Sequence, residues 1–307
     1  MSLPSGVLVA DKPAGPTSHD IVQAVRGFTK GLRVGHTGTL DPFATGVLPL
    51  CIGRATRLSR FLSATRKSYA GVILLGVATD TYDSQGRIVS HRPIDEISES
   101  MIRRMASRFT GTFSQVPPPF SARKLRGQPA HRLARRGMPV DLAPSLVTVH
   151  RFDIDEIAGP AVRFRIETSP GTYIRSIAHD LGLALGCGAH LAELRRTAAG
   201  RLQADDAHPF EAILEAGRAG HLDEMIVPMR RLDLGLPFVT VTPEGRLAVR
   251  SGRPLARAHL SSAGQAGAGG QAATRVLDEQ GDLIAIAAPA GSPDGEEVLK
   301  PIIVLAT

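Results

Sequence analysis

The first apolar run, residues 6–10, is short and ends in Asp11-Lys12-Pro13 and Gly15-Pro16, the pattern of a strand entering a turn. Thr17 followed three residues later by Asp20 resembles a capping box, with aspartate in place of the usual Glu or Gln. Ile21, Val22, Val25 and Phe28 then recur at helical spacing, and Gly31 is expected to close that helix. From Val34 to Pro49 the periodicity disappears. Gly35, Gly38, Pro42, Gly46 and Pro49 punctuate the stretch too densely for regular structure, so it reads as an ordered loop. A helix around 54–62 and an apolar strand at 71–78 follow.

Ile97, Met101, Ile102, Met105 and Phe109 predict a helix stopped at Gly111, and Val116-Pro117-Pro118-Pro119 is stiff and extended. Residues 147–154 and 161–168 alternate as paired strands around a Gly159-Pro160 turn. Ile174, Ile177, Ala178, Leu181 and Leu185 form the apolar stripe of another helix, closed by Gly186 and Gly188. Beyond about Pro228 the pattern changes to short strands at 238–242, 275–278, 283–287 and 302–305. The uncharged Gly/Ala/Ser/Gln stretch 261–274 between them reads as a flexible loop. The expected architecture is α+β for the larger part, with a β-rich module at the C-terminus.

Composition narrows the class. The 307 residues are 43% hydrophobic and 21% charged, an ordinary globular balance long enough for two domains. No stretch approaches the roughly 18 apolar residues of a membrane helix, and no export signal is visible. Cys51 and Cys187 alone make neither a disulfide framework nor a four-cysteine zinc site, so a cytoplasmic protein is expected. The net charge of +7 is unevenly spread. Residues 21–79 hold eight basic residues (Arg26, Lys30, Arg33, Arg54, Arg57, Arg60, Arg66 and Lys67) and a single acid, Asp41. A second block, Arg123, Lys124, Arg126, Arg132, Arg135 and Arg136, includes His131 and has no acid. Such blocks neutralise phosphates and point to a nucleic-acid partner, although the second block is as consistent with a solvated helix face.

The densest stretch is Gly35-His36-Thr37-Gly38-Thr39-Leu40-Asp41-Pro42-Phe43-Ala44-Thr45-Gly46-Val47-Leu48-Pro49. An aspartate before proline in a glycine-rich loop is commonly only a turn former. Here it is the sole carboxylate among cations, which would hold it ionised as a nucleophile or base. In Ser169-Pro170-Gly171-Thr172-Tyr173-Ile174-Arg175, a tyrosine able to stack on a base and an arginine able to pair with a carboxylate sit where a strand gives way to a helix. Arg66-Lys67-Ser68-Tyr69 sets another of the three tyrosines beside basic residues, while Thr79-Asp80-Thr81-Tyr82-Asp83 looks like a turn. No nucleophile elbow, P-loop, G-x-G-x-x-G or metal-ligand spacing occurs, so neither cofactor nor metal is expected.

Asp11-Lys12-Pro13-x-Gly15 and the stretch Gly35–Pro49 resemble the signature of the TruB family, the bacterial tRNA pseudouridine-55 synthases. Arg66-Lys67-x-Tyr69, Gly171-Thr172-Tyr173-Ile174-Arg175 and Gly186-Cys187-Gly188-Ala189-His190-Leu191-x-x-Leu194-Arg195-Arg196 match further family motifs in order. The resemblance runs from residue 6 to about 200. It implies an α+β, mixed-sheet catalytic domain over 1–228 with a basic insertion at about 111–147, and a PUA-like RNA-binding domain over 229–307. It also implies catalysis by Asp41, with Arg175 paired to it and Tyr69 stacked on the target uracil. His36 would enter the space left by flipped nucleotides, Tyr173 and Leu194 would line the uridine pocket, and Lys12 with Pro13 would brace the Asp41 loop. Arg123, Lys124, Arg132, Arg135 and Arg136 would grip the tRNA backbone. The family often has tyrosine where this chain has Phe120 and another aromatic where His131 stands. The implied partner is the tRNA T-arm, acted on by a monomer with no membrane and no nucleotide cofactor. Two other readings remain open: a guide-RNA-dependent synthase subunit, and an RNA-binding or RNA-folding protein with secondary chemistry. A carboxylate glycosidase would need a second acid near the first.

Overall fold

The computed structural model describes residues 3–121, 123–125, 127–262, 273–291 and 297–306, apart from the side chains of Lys124, Pro129, His131, Ser262 and Glu297. In chain order the first half comprises β1 (Gly6–Lys12), α1 (Ser18–Arg26), β2 (Val34–His36), β3 (Thr45–Ile52), α2 (Ser59–Ser63), β4 (Lys67–Leu75), β5 (Val77–Thr79), β6 (Ile88–His91), α3 (Glu99–Ser107) and β7 (Gly111–Gln115). The insertion carries β8 (Lys124–Leu125), β9 (Gln128–Pro129) and α4 (Ala130–Arg135). Then come β10 (Ser145–Ala158), β11 (Ala161–Thr168), α5 (Ile174–Ala184), β12 (Ala189–Ala199), β13 (Leu202–Gln203), β14 (His208–Pro209), α6 (Phe210–Ala219) and β15 (Ile226–Pro228). The last part holds β16 (Phe238–Val241), α7 (Pro243–Arg250), β17 (Leu260–Ser262), β18 (Thr274–Leu277), β19 (Leu283–Gly291) and β20 (Glu297–Val304).

Among the described residues, eleven strands form one mixed sheet with the main order β14-β1-β3-β12-β4-β11-β10-β7. β16–β20 form a separate five-stranded sheet in the order β17-β16-β18-β19-β20. One face of the large sheet packs on α1, α3, α5 and α6 through Leu8, Leu50, Ile73, Phe164, Ile21, Ile102, Ile177 and Ile213. The opposite side of β1 and β3 supplies Val7, Val9, Val47 and Cys51 to a second core, completed by Leu58, by Leu283, Ile286 and Ile303 of the C-terminal sheet, and by Leu305 just after its last strand. The C-terminal part is therefore packed onto the large sheet.

Several expected elements shift. The capping box forms: Asp20 N–H donates to Thr17 Oγ1 (3.1 Å) and Thr17 N–H donates to Asp20 Oδ2 (2.8 Å). However, α1 ends at Arg26, and Gly31 lies in the following turn. The stretch 34–49 is not loop throughout, because β2 and β3 take its two ends. Gly46 serves close approach rather than strand breaking. It has φ +100°, and a Cβ there would lie 2.2 Å from the Arg196 carbonyl oxygen of β12. The helix expected at 54–62 is a 3₁₀ turn (Gly53–Leu58) followed by the short α2. The predicted strand at 71–78 begins earlier, at Lys67, and is split in two by Gly76 at φ +84°.

Several elements were not expected at all, β12, α6 and α7 among them. β12 is rich in Ala, Arg and Glu, yet it becomes a central strand because β4 and β3 pair on either side of it. In the C-terminal part, α7 lies between the first two strands. Most of the 261–274 loop, residues 263–272, lies outside the described residues, as does Arg126. Arg54 and Arg57, read from the sequence as part of a nucleic-acid surface, donate instead to the carbonyls of Leu305 (2.7 Å) and Val304, tying the 3₁₀ turn to the end of the chain.

Because Leu305 is 1% exposed in a core shared by both sheets, Leu305→Ala should cost about 2–5 kcal/mol. Urea unfolding followed by circular dichroism should still show one transition. A separate early transition of the C-terminal part would contradict a shared core.

Candidate active site

Asp41 lies in the irregular segment between β2 and β3, where backbone carbonyls lack a sheet ladder and must find other donors. Ser18, the first residue of α1, donates to the Leu40 carbonyl (3.0 Å) and accepts from Leu40 N–H (2.8 Å). Gly15 N–H donates to the Pro42 carbonyl at 2.9 Å. Lys12, fully buried at the end of β1, donates to the carbonyls of Pro13 (2.8 Å), Pro42 (3.0 Å) and Ala44 (2.7 Å). From β12, Arg196 donates to the carbonyls of Gly38 (3.1 Å) and Val47 (2.6 Å). Two buried cations thus clasp the loop with charge-assisted hydrogen bonds on both sides of Asp41.

The Asp41 side chain keeps 33% of its surface accessible and meets Arg175 twice, Oδ2 to Nε at 2.9 Å and Oδ1 to Nη2 at 3.0 Å. Arg175 rises from the first turn of α5 and is 4% exposed. It also donates to the carbonyls of Thr81 and Phe120, each at 3.0 Å, and faces Asp83 at 3.3 Å. Asp83 is buried and accepts from Thr81 Oγ1 (2.6 Å) and Gln85 N–H (3.0 Å). One guanidinium therefore sits between two carboxylates. Burial pushes the Asp41 carboxyl above its ordinary value, Arg175 and Lys12 pull it down, and Asp83 adds to the upward push.

Tyr69 stands on β4 in register with Arg196 of β12. Burial raises its phenol above the ordinary value, so the hydroxyl stays protonated at neutral pH. His36 is half-buried on β2, its imidazole pushed down from the usual value by burial and then by Arg196 and His19. His36 Nδ1 and the neighbouring Thr37 Oγ1 are buried without a hydrogen-bond partner among the described residues. Tyr173 caps α5 two residues before Arg175, with its backbone N–H and C=O both bonded to the Gln115 side chain (2.8 and 3.0 Å). Leu194 borders a cleft of about 920 Å³ together with Pro42 and Phe43, next in the chain after Asp41. Asp41, Tyr69 and Tyr173 do not line that cleft.

The structure thus joins Asp41, Arg175, Lys12 and Pro13 in one network, and Tyr69 is the β4 register partner of Arg196, which clasps the same loop. The insertion residues stand apart. Arg132, Arg135 and Arg136 are exposed on and just after α4, and Arg123 bonds Ser145 Oγ at 3.0 Å. The Lys124 and His131 side chains lie outside the described ones. At Phe120 only the backbone carbonyl meets Arg175, so phenylalanine in place of tyrosine leaves that contact intact. Sequence reasoning missed Asp83, Ser18 and Arg196. Asp83 was visible only as part of a turn, and that turn is what aims it at Arg175.

This arrangement coincides with clear relationships to known proteins. Residues 26–174 match the family profile described as TruB family pseudouridylate synthase (N terminal domain), and residues 175–232 that of the tRNA pseudouridylate synthase B C-terminal domain. The chain belongs to the TruB family of pseudouridylate synthases. It is 42% identical to the tRNA pseudouridine synthase B of Solibacter usitatus over 92% of this chain and 94% of that one. The corresponding protein of Geobacter sulfurreducens is 41% identical over 92% of each chain. Among solved structures, it resembles a Cbf5-Nop10-Gar1 complex with a TM-score of 0.75 and 27% identity, covering 99% of this chain and 85% of that one. An H/ACA RNP bound to a substrate RNA containing 2′-deoxyuridine gives a TM-score of 0.75 at 25% identity, with 98% and 85% covered.

The enzyme isomerises uridine to pseudouridine. Among the described residues no cluster of His, Cys, Asp and Glu could hold a metal, and no helix is long and apolar enough to cross a membrane. Cys51 is no candidate nucleophile, since burial pushes its thiol up to about 12.

Burial lowers the Lys12 ammonium to about 8 and likewise Lys67, also to about 8. Their unfolded value is 10.5, so between about pH 8 and 10.5 the unfolded chain holds protons that the folded chain has lost. Over that window these two groups make the unfolding free energy rise with pH. A neutral amine has two N–H donors for the three carbonyls that ammonium serves, so the loop loosens locally as global stability gains. Urea unfolding of Lys12→Met at pH 8 and pH 10 should show a smaller rise than the wild-type enzyme, and an identical rise would contradict the buried-ammonium assignment.

Proposed function

We propose that the enzyme converts a uridine in the T-loop of tRNA, position 55, to pseudouridine in the cytoplasm, with Asp41 as the reacting carboxylate. The single observation that carries this reading is the paired geometry of Asp41: a partly accessible carboxylate held by a buried arginine, in a clasped loop. The tRNA substrate is supported by the names of relatives more than 40% identical over nearly the whole chain.

The reaction breaks the N1–C1′ bond, turns the uracil and rejoins it through C5. It imports no group and changes no oxidation state, so one carboxylate and a pocket suffice. Asp41 acts as nucleophile at C1′ or as base at the 2′ proton, and either route starts from the ionised form that Arg175 supports. The base must first leave its stack, and Tyr69 is assigned to receive it by stacking. Lys12 and Pro13 hold the loop, Tyr173 and Leu194 border the base, and His36, whose buried Nδ1 has no partner among the described residues, meets the RNA.

Asp83 does not make this a two-carboxylate glycosidase site. Its side chain is 7% exposed and turned to Arg175, Thr81 and Gln85, so Asp83 does not face a substrate. The division into a catalytic domain over 1–228 and a PUA-like RNA-binding domain over 229–307 fits the two separate sheets, and a monomer suits two basic faces on one chain.

Single-turnover assays on unmodified tRNA transcript, with no guide RNA, should show conversion at the T-loop uridine. Asp41→Asn should abolish conversion while keeping tRNA affinity within about threefold, since the carboxylate acts on C1′ or the 2′ proton rather than on phosphates. Surviving turnover would remove Asp41 from the chemistry, and a requirement for guide RNA would favour the synthase-subunit reading. Replacing Arg132, Arg135 and Arg136 by alanine should lower the salt dependence of binding by about 2–3 in log–log slope. An unchanged slope would return α4 to a solvated face.

A further inference from the structure

Tyr82 and His179 face each other as parallel rings, with centroids 3.7 Å apart and planes within 9°. His179 lies on α5 one helical turn beyond Arg175, and Tyr82 lies in the turn that carries Thr81 and Asp83. Tyr82 has φ +66°, in the left-handed region, which a bulky residue keeps only where its surroundings hold it there. Two kinds of contact do so. The Leu191 N–H of β12 donates to the Tyr82 carbonyl (2.9 Å) and the Ser84 N–H donates to the Leu191 carbonyl (3.1 Å), docking the backbone of the turn on β12. The ring stack docks the same turn on α5. Tyr82 belongs to none of the hydrophobic cores, and His179 Nδ1 is buried with no hydrogen-bond partner among the described residues. Burial pushes the imidazole below its ordinary value and favours the neutral ring, so the contact is aromatic stacking.

We propose that Tyr82 and His179 are positioning residues for the isomerisation: their stack holds the 79–83 turn against α5, so that the turn claims one end of the Arg175 guanidinium and leaves Asp41 the other. The inference rests on the reading of Asp41 as the reacting carboxylate. An arginine fork can grip a carboxylate with two N–H groups along more than one of its edges. Here the Thr81 carbonyl (3.0 Å) and Asp83 Oδ2 (3.3 Å) both take Nη1. Nε and Nη2 remain, and these are the atoms that meet Asp41, at 2.9 and 3.0 Å. Within the turn, Thr79 Oγ1 donates to the Asp83 carbonyl (2.7 Å) and Thr81 Oγ1 to Asp83 Oδ1 (2.6 Å), so Asp83 moves with the turn as one body. Those bonds are internal, whereas the stack ties that body to the helix that carries Arg175. A turn drifting from α5 would release Nη1, and the Nη1–Nη2 edge would then compete for Asp41 and displace its oxygen atoms.

The test is a double-mutant cycle in single-turnover kinetics on tRNA transcript, with tRNA affinity and thermal unfolding measured for each variant. Glycine accepts φ +66° freely, so Tyr82→Gly removes the ring while relieving the backbone, and its melting temperature should stay near that of the wild-type enzyme. Its rate should nevertheless fall at least about tenfold, towards the roughly 100-fold that misplacing a reacting group by about 1 Å costs, with tRNA affinity kept within about threefold. His179→Ala should lose as much, and the Tyr82→Gly/His179→Ala enzyme no more than the slower single variant, because each change removes the same contact. Tyr82→Phe keeps the stack and should restore the rate to within about twofold of wild type. A smaller loss in Tyr82→Gly, losses that multiply in the double variant, or a rate loss tracked by lost affinity would reduce the stack to a packing contact and overturn the proposal. Proton NMR supplies an independent readout. The imidazole signal that disappears in His179→Ala should move downfield in Tyr82→Gly and stay in place in Tyr82→Phe, and an unmoved signal in Tyr82→Gly would also overturn the proposal. Should His179→Ala fail to fold, Tyr82→Gly against Tyr82→Phe decides alone. Turnover in Asp41→Asn would instead refute the assignment of Asp41 on which the inference rests, a result distinct from the stack variants, which keep that carboxylate.

Discussion

The ion pair between Asp41 and Arg175 is the constraint on which the site depends. A carboxylate that must be ionised to react, yet lies in a partly buried loop, needs a fixed counter-charge, and arginine supplies one in bidentate geometry. Arg175 is itself buried, so it needs compensation in turn. Asp83 and the carbonyls of Thr81 and Phe120 provide it from two other parts of the chain. Three segments remote in sequence are thereby bound to one guanidinium, and a displacement of any of them would move the reacting oxygen atoms.

A second set of buried cations performs a different task. The segment carrying Asp41 has no ladder partner, so its carbonyls would be left without donors under a close-packed core. Lys12 and Arg196 meet that need and turn a glycine-rich stretch into a rigid support. The mixed sheet makes this possible. β3 lies beside β1, which delivers Lys12, and meets β12 in parallel at the residues that deliver Arg196. The Gly46 backbone allows β12 to approach closely enough for Arg196 to reach across.

Net positive charge on this chain does not translate uniformly into an RNA-binding face. Arg54 and Arg57 bind the chain's own C-terminal strand end, and Lys67 serves carbonyls of its own turn. Arg132, Arg135 and Arg136 stay exposed on the insertion. Cations that look alike in a basic run thus divide into those satisfying the fold and those left to meet a polyanion, and the division follows from which backbone carbonyls the fold brings within their reach.

The sequence by itself determined the local features. The capping box at Thr17 and Asp20, the amphipathic helices at α3 and α5 and the β10–β11 hairpin all follow from spacing and turn chemistry within a few residues. The motif around Asp41 was legible for the same reason: its glycines, its proline and its solitary acid lie within one short stretch. What only the tertiary structure decided is everything that depends on pairing between distant strands. β12, a stretch for which the sequence pattern predicts no element, becomes a central strand because neighbours on both sides complete its hydrogen bonds. Asp83, in a stretch that reads as a turn, becomes the second carboxylate on Arg175, and Arg196, one more basic residue in the sequence, becomes a buried clasp on the Asp41 loop. Periodicity carries information over a turn or a strand. The field at Asp41 is built from charges up to 134 residues away in the chain, and only the fold brings them within hydrogen-bond reach.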